Sequence, residues 1–202
     1  MSHLTLAELI SSPTLNIAPE TTLGEVATLM ASARASAALV LRDGQPVGLF
    51  TERDLVRAFT RVVDPAQRID GLMSAPVMGA AANLSLREGY HLLVSRGHRH
   101  LLVLRPDGSA LGLLDETDFR SHLGMEYLVK ARTVKSLMTV NVLTLGPDHC
   151  VAEAAALMDR YRISCVVVAK DERPLGIVTE RDMVRLYDGG AVARALRLDQ
   201  VM

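Results

Sequence analysis

Tryptophan is absent from this 202-residue chain, and aromatic residues make up only 3% of it. A core must then be aliphatic, built from Leu, Val, Ala and Met. The same scarcity, with a net charge of −1, removes the footprint of a nucleic-acid binder, which needs a basic patch with stacking aromatics. Two cysteines, Cys150 and Cys165, make no disulfide framework, and Cys165 reads as a small buried hydrophobe in a strand. The longest apolar runs, such as Cys165 to Ala169, have strand length, far below a membrane span. The start, Met1-Ser2-His3-Leu4-Thr5, lacks a basic region leading into an apolar run. The expectation is a cytoplasmic protein with neither nucleic acid nor membrane as partner. Catalytic signatures are missing too: no Gly-x-Ser-x-Gly, His-Glu-x-x-His, Walker loop or Cys-x-x-Cys occurs, so no catalytic residue is assigned and no enzyme activity is expected of these residues.

What is present is one short stretch, three times over. It reads Gly48-Leu49-Phe50-Thr51-Glu52-Arg53-Asp54, Gly112-Leu113-Leu114-Asp115-Glu116-Thr117-Asp118, and Gly176-Ile177-Val178-Thr179-Glu180-Arg181-Asp182. Each copy follows an apolar strand-like run and precedes a helical pattern, so each marks a strand entering a helix. One reading is a capping box, in which Thr or Asp accepts a backbone N–H and the acid three residues on suits the positive helix end. The other is a ligand site, because a helix N-terminus also offers free N–H groups to a phosphate and the acid can take ribose hydroxyls. Glu52, Glu116 and Glu180 lie in first helical turns, where the dipole favours them.

Sliding the chain by 128 positions superposes Thr51 to Asp54 on Thr179 to Asp182, with Pro19 on Pro147, Glu25 on Glu153, Leu29-Met30 on Leu157-Met158, and Gly48 on Gly176. A middle copy lies at half that shift. Each unit opens with an apolar turn of helix (Leu6 to Ile10, Ile69 to Met73, Val134 to Met138). A short strand follows, then an amphipathic helix such as the one carrying Leu23, Val26, Ala27 and Met30 at i, i+3, i+4 and i+7. A buried strand, a turn with Asp43-Gly44 or its counterpart, the box strand and a last helix complete it. Methionines fall at helix ends facing the core. The expected fold class is α+β, in β-α-β-β-α repeats. One such unit is too small to cover both faces of its sheet.

The apolar opening, the helix ending in Leu-Met, the strand–Asp-Gly–strand and the Gly-h-h-Thr-x-x-Asp box together resemble cystathionine β-synthase (CBS) domains over about residues 4 to 188. The resemblance implies tandem repeats at 1–62, 63–127 and 128–190, with 191–202 beginning a fourth. It implies that two repeats pair sheet to sheet as a Bateman module and leave the third unpaired. The tail Leu196 to Met202 looks like Ile69 to Met73 again, so the chain reads as the N-terminal regulatory fragment of a larger signalling protein.

The resemblance also implies a ligand: AMP, ADP, ATP or S-adenosylmethionine, held in clefts between paired repeats, with no cofactor required. The ribose-binding acid and the phosphate-contacting hydroxyl fall on Asp54 and Thr51, and on Asp182 and Thr179. Arg53, Arg181 and Asp118 count with them as binding candidates. In the second repeat Asp115 replaces the Thr, which keeps a cap but repels phosphate, so the first cleft is expected to bind in preference. Arg99 and His100, just before the second repeat's buried strand, match basic positions that some nucleotide-sensing members use for phosphate; the plain alternative is a solvated turn with a packed His100. His98 and His100 share a strand face, but no third ligand stands at a recognisable spacing, and no metal site is assigned. The expected function is a ligand-sensing regulatory module in signal transduction. It would control a missing C-terminal output domain, for example a diguanylate cyclase, a phosphodiesterase or a histidine kinase. The alternatives are a structural dimerisation scaffold without ligand, or the regulatory part of a transporter or nucleotidyltransferase. An unpaired third sheet leads to the expectation of a homodimer.

Overall fold

The computed structural model describes residues 4–122, 133–187 and 190–202. The boundary expected between 127 and 128 lies outside the described residues. Three three-stranded sheets follow one another along the chain, each with the order short strand, central strand, box strand. In the first repeat the elements are α1 (Leu6–Leu9), β1 (Asn16–Ile17), α2 (Leu23–Ala33), β2 (Ala37–Arg42), β3 (Gln45–Thr51) and α3 (Glu52–Thr60). The second has β4 (Gly79–Ala81), α4 (Leu86–Ser95), β5 (His100–Leu104), β6 (Ala110–Asp115) and α5 (Glu116–His122). The third has α6 (Val134–Leu137), β7 (Thr144–Leu145), α7 (Val151–Tyr161), β8 (Cys165–Lys170), β9 (Arg173–Thr179) and α8 (Glu180–Leu186), followed by α9 (Gly190–Ala195). In the second and third sheets the short strand pairs parallel and the box strand antiparallel to the central strand.

Local chemistry explains the long helices. Thr22, Ser85 and Cys150 stand at N-caps, and Glu25, Glu88 and Glu153 three residues on accept the cap N–H at 2.8, 2.9 and 2.8 Å. α2 and α7 both end on an arginine in the left-handed region, Arg34 at φ 51° and Arg162 at φ 54°. Leu23, Val26, Ala27 and Met30 are buried, as their spacing predicts, and burial of each large side chain contributes about 1.5–3 kcal/mol. Cys165 is only half-buried, because with Val167 and Ala169 it lies on the partly open face of β8, opposite the buried Val166 and Val168.

The chain clusters into two compact units that do not follow the repeats: residues 1–16, 39–48 and 75–138 form one, and 17–38, 49–74 and 139–202 the other. In the first unit α1, which opens the first repeat in sequence, packs in the core of the second. Leu6 and Leu9 join Ala80, Leu93, Leu101, Val103, Leu114 and Phe119 in one buried cluster. Backbone bonds fasten it there, Leu6 N–H to the Leu84 carbonyl at 2.8 Å and Leu86 N–H to the Leu4 carbonyl at 2.9 Å.

In the second unit, the segment around Ile69–Gly71 docks on the first repeat although it opens the second. Leu23 N–H bonds to the Gln67 carbonyl, Ile69 N–H to the Thr21 carbonyl, and Leu49 and Ser74 exchange a pair of bonds. The tail behaves in the same way toward the third repeat. Val151 N–H bonds to the Leu196 carbonyl at 2.9 Å, Leu198 N–H to the His149 carbonyl at 2.9 Å, and Leu198 is fully buried. The tail that resembles the start of a fourth repeat therefore packs back onto the third. The box glycines make room for these segments. A Cβ on Gly112 would lie 2.8 Å from Ile10, and one on Gly176 2.7 Å from Met202.

Candidate functional site

Within the second unit, α3 packs against α7 and α8, and α2 against α8. This brings the boxes of the first and third repeats together. Each box is a reciprocal cap. Thr51 donates its N–H and Oγ1–H to Asp54 Oδ2 at 2.9 and 2.8 Å, and Asp54 N–H returns to Thr51 Oγ1 at 3.4 Å. Thr179 and Asp182 repeat this at 2.9, 2.6 and 3.3 Å. In the first unit, Asp115 Oδ1 accepts from the N–H groups of Thr117 and Asp118 at 2.7 and 3.2 Å, while Asp118 Oδ2 accepts from Asp115 N–H at 2.8 Å. The capping reading of all three boxes is thus observed, Asp115 included.

The acids differ in how much capacity remains. Asp54 is buried, and its second oxygen, Oδ1, takes Ser74 Oγ–H at 3.3 Å and Arg57 at 3.4 Å. Burial raises its carboxyl above the usual range, against Thr51, Arg57 and Ser74, which stabilise the anion. Among the described residues Asp182 Oδ1 has Arg185 alone, at 3.5 Å, and its side chain is 21% exposed against 3% for Asp54. Asp118 is also raised, by burial first and further by the charge of Asp115, against the backbone bond from Asp115.

Between the boxes of the first and third repeats runs a reciprocal pair of ion pairs. Arg53 Nε lies 3.3 Å from Glu180 Oε1, and Arg181 Nε 3.2 Å from Glu52 Oε1. The two acids expected to be simple first-turn residues are therefore buried, Glu52 at 8% and Glu180 at 3% exposure, and ion-paired across the repeats. The reason is the packing of α3 on α8, which removes both acids from water and supplies a guanidinium to each.

The 128-residue shift that relates the two repeats breaks down at the next shell. Beside Arg53, Arg57 Nε reaches Asp159 at 3.7 Å and an Arg53 N–H reaches the Arg162 carbonyl at 3.4 Å. The counterpart of Arg57 is Arg185, but the counterpart of Asp159 is Ala31. A cleft of about 510 Å³ opens on that side, and Ala31, Arg34, Glu52, Arg181 and Arg185 line it. Arg181 is paired with Glu52 and Arg185 with Asp182, so the three guanidiniums keep one positive charge in excess and the cleft is basic.

Of the residues singled out in the sequence, Thr51, Arg53, Asp54, Thr179, Arg181 and Asp182 lie in the second unit, and Arg99, His100 and Asp118 in the first. Arg99 and His100 are half-buried at the start of β5 and already interact with other residues. Arg34, Arg185, Glu52 and Glu180 are the site residues that the sequence reading left out. A signal existed: Glu-Arg stands inside the first and third boxes but not the second, where Glu116-Thr117 replaces it. Among the described residues no group of three or more His, Cys, Asp or Glu is placed to hold a metal ion, and no helix is long and apolar enough to cross a membrane.

Comparison with known proteins bears on the family and the fold. The family model for the CBS domain matches residues 6–61, 69–124 and 134–189. The chain is 32% identical over 145 residues to L-aspartate semialdehyde sulfurtransferase of Methanocaldococcus jannaschii, covering 70% of this chain and 28% of that protein. It is 27% identical over 163 residues to the uncharacterized protein MJ1225 of the same organism, covering 75% of this chain and 58% of the relative. The chain thus spans under two thirds of the length of these relatives. The crystal structure of MJ1225 superposes with a TM-score of 0.85 at 16% identity, over 98% of this chain and 82% of that one. A CBS domain protein from Pyrobaculum aerophilum, PAE2072, complexed with AMP, superposes with a TM-score of 0.54 at 23% identity, over 57% of this chain and 89% of that one. With three matched segments covering most of its length, the chain belongs to the CBS domain family.

Proposed function

We propose that this chain is a regulatory module that senses an adenosine nucleotide, with AMP, ADP and ATP as first candidates and S-adenosylmethionine as a further one, and that it controls an output domain attached to the same polypeptide. The observation that carries this reading is the basic cleft of Arg34, Arg181 and Arg185, whose Arg185 is ion-paired to Asp182 of the third repeat's box. Guanidiniums match phosphate oxygens two at a time, and with no acid equivalent to Asp159 the cleft's three arginines face only Glu52 and Asp182. Asp182, with Oδ1 lightly engaged, suits the ribose hydroxyls better than the saturated Asp54. That a CBS domain protein of similar fold is complexed with AMP supports the ligand class. Arg99, His100 and Asp118 belong to a separate nucleotide cleft in this proposal, weaker because Asp115 sets a carboxylate where Thr51 and Thr179 set hydroxyls. Two unit charges about 4 Å apart repel by about 4 kcal/mol at an effective dielectric near 20.

Signalling follows if the nucleotide favours one arrangement of the repeats over another, since that differential affinity is the only work a ligand can do. The module itself carries out no chemistry in this reading, and it works in the cytoplasm as a homodimer. A scaffold without ligand is the second reading, favoured by the completely occupied carboxylate of Asp54. A thermal-shift series with AMP, ADP, ATP and S-adenosylmethionine decides between them. Ligand at about 100 times its dissociation constant adds roughly 2.7 kcal/mol of stability. A shift that Arg185→Ala abolishes supports the sensor; no shift with any of the four supports the scaffold.

A further inference from the structure

A second cavity, of about 340 Å³, lies in the same unit at the far end of α3, where its last turn meets Tyr187 and α9. Its walls are apolar: Phe59, Val62, Val63 and Tyr187, with the Phe59 and Tyr187 rings 6.3 Å apart and tilted by 56°. Two charged side chains also line it, Asp64 and Arg194. The Arg194 guanidinium lies 5.0 Å from the centre of the Phe59 ring and donates one N–H to the Phe59 carbonyl. It is therefore pinned by its backbone anchor and its ring, while its remaining donors have no partner among the described residues. Asp64 spends one oxygen, Oδ1, on the Ala66 N–H at 2.8 Å. Burial, with a smaller push from Asp64, raises the Tyr187 hydroxyl to about 12, so it stays neutral at physiological pH.

The rim adds a further sign of construction. Val62 holds φ 57°, a left-handed conformation that strains a β-branched residue. It closes the end of α3, where the Val63 N–H bonds to the Ala58 carbonyl at 3.1 Å. The third repeat has Gly190 at the corresponding position, the residue that such a turn favours. The first repeat instead carries a strained valine whose side chain is 70% exposed at the edge of the cavity.

We propose that this cavity binds a free α-amino acid with an apolar side chain, its carboxylate on Arg194, its ammonium on Asp64 and its side chain against the wall of Phe59, Val62 and Tyr187. Arg194 and Asp64 do not pair with each other, so the cavity presents one cation and one anion over an apolar floor. A monocarboxylate meets repulsion from Asp64, and an amine meets repulsion from Arg194. A zwitterion satisfies both, and a nucleotide phosphate has one guanidinium here against three in the basic cleft. The site is distinct from that cleft and stands whether or not nucleotide binds there.

Calorimetric titration of the whole chain with L-phenylalanine, L-leucine, 3-phenylpropionate and phenethylamine tests this. The expected result is saturable binding of at least one of the two amino acids, with either phenyl analogue weaker than L-phenylalanine by about tenfold or more. Asp64→Asn and Arg194→Met are each expected to weaken the amino acid by about tenfold or more. Val62→Gly is expected to weaken it while leaving the melting temperature equal or higher, because it relieves the strained turn. AMP affinity is expected to be unchanged in Asp64→Asn, so failure of this site reads separately from failure of the nucleotide cleft. No heat from either amino acid up to about 10 mM overturns the proposal. So does equal affinity for L-phenylalanine and its two analogues, or unchanged affinity in both charge variants.

Discussion

Glu180 is 3% exposed with Arg53 3.3 Å away, whereas Glu52 keeps 11% side-chain exposure and its partner Arg181 is 55% exposed. The two ion pairs look alike in sequence and differ in how far water is excluded. Arg53→Met withdraws a cation from a buried carboxylate and is expected to cost about 2–3 kcal/mol by denaturant unfolding, toward the lower range for breaking a buried pair. Arg181→Met acts on a largely solvated guanidinium and is expected to cost under about 1 kcal/mol. Equal losses would refute this ranking. Asp54 gives a pH signature. Its folded pKa is raised above the unfolded value near 3.8, mainly by burial, so its contribution to stability is greatest at acid pH and is lost as pH rises through the folded pKa. The stability of the wild-type chain relative to Asp54→Asn is therefore expected to grow as pH falls from 7 toward 4, measured by thermal melts of both proteins. A difference that shrinks on acidification contradicts a raised pKa. The Thr-x-x-Asp pattern was enough to foresee both caps, because the cap is a contact across three residues. It was not enough to foresee that Asp54 would be saturated and Asp182 left partly open. That difference comes from Ser74, twenty positions away in sequence.

At the scale of elements, one of the differences between the helices α2 and α7 decides the charge of a cleft. Asp159 on α7 faces Arg57, and Ala31 on α2 stands at the position corresponding to Asp159, beside Arg185. Ala31→Asp is expected to give Arg185 the partner that Arg57 already has, and to weaken AMP or ATP by about tenfold or more through like-charge repulsion. Asp159→Ala leaves the basic cleft intact and is expected to leave nucleotide affinity unchanged. Calorimetry on the two variants checks both statements. The docked tail is a second element with a measurable role. Leu198 is fully buried where the tail lies against the third repeat, and Leu198→Ala is expected to cost about 2–5 kcal/mol by chemical denaturation. A loss under about 1 kcal/mol would mean that the tail is held by its backbone bonds alone. Helix and strand types were legible from the periodicity of Leu23, Val26, Ala27 and Met30 and from the apolar runs of β5 and β8. The docking of each opening segment was not legible, because Leu6 to Ile10 and Ile69 to Met73 carry the same apolar code and nothing local says which sheet receives which.

For the molecule as a whole, most of the exposed large apolar side chains among the described residues belong to the third repeat. Val140, Val142, Leu175 and Ile177 are 49 to 77% exposed; the first two lie on the approach to β7 and the last two on β9. The homodimer proposed above uses this face. Light scattering at micromolar concentration is expected to give a dimer, and Ile177→Glu a monomer with unchanged secondary structure by circular dichroism. A wild-type monomer would sink the dimer. The sequence by itself determined the three repeats, the class of each element and the caps, since each of these is set by periodicity or by side chains three or four positions apart. It also determined that the middle box differs, because Asp115 is visible as a letter. Only the tertiary structure decided that Glu52 and Glu180 are buried partners of Arg181 and Arg53, that Arg34 and Arg185 line a cleft of net positive charge, and that the opening segments are exchanged between repeats. These contacts join residues far apart in sequence, such as Arg53 and Glu180, 127 positions apart. They depend on which of several equally apolar faces meet, and that choice is settled by the summed fit of whole elements rather than by any local run of residues.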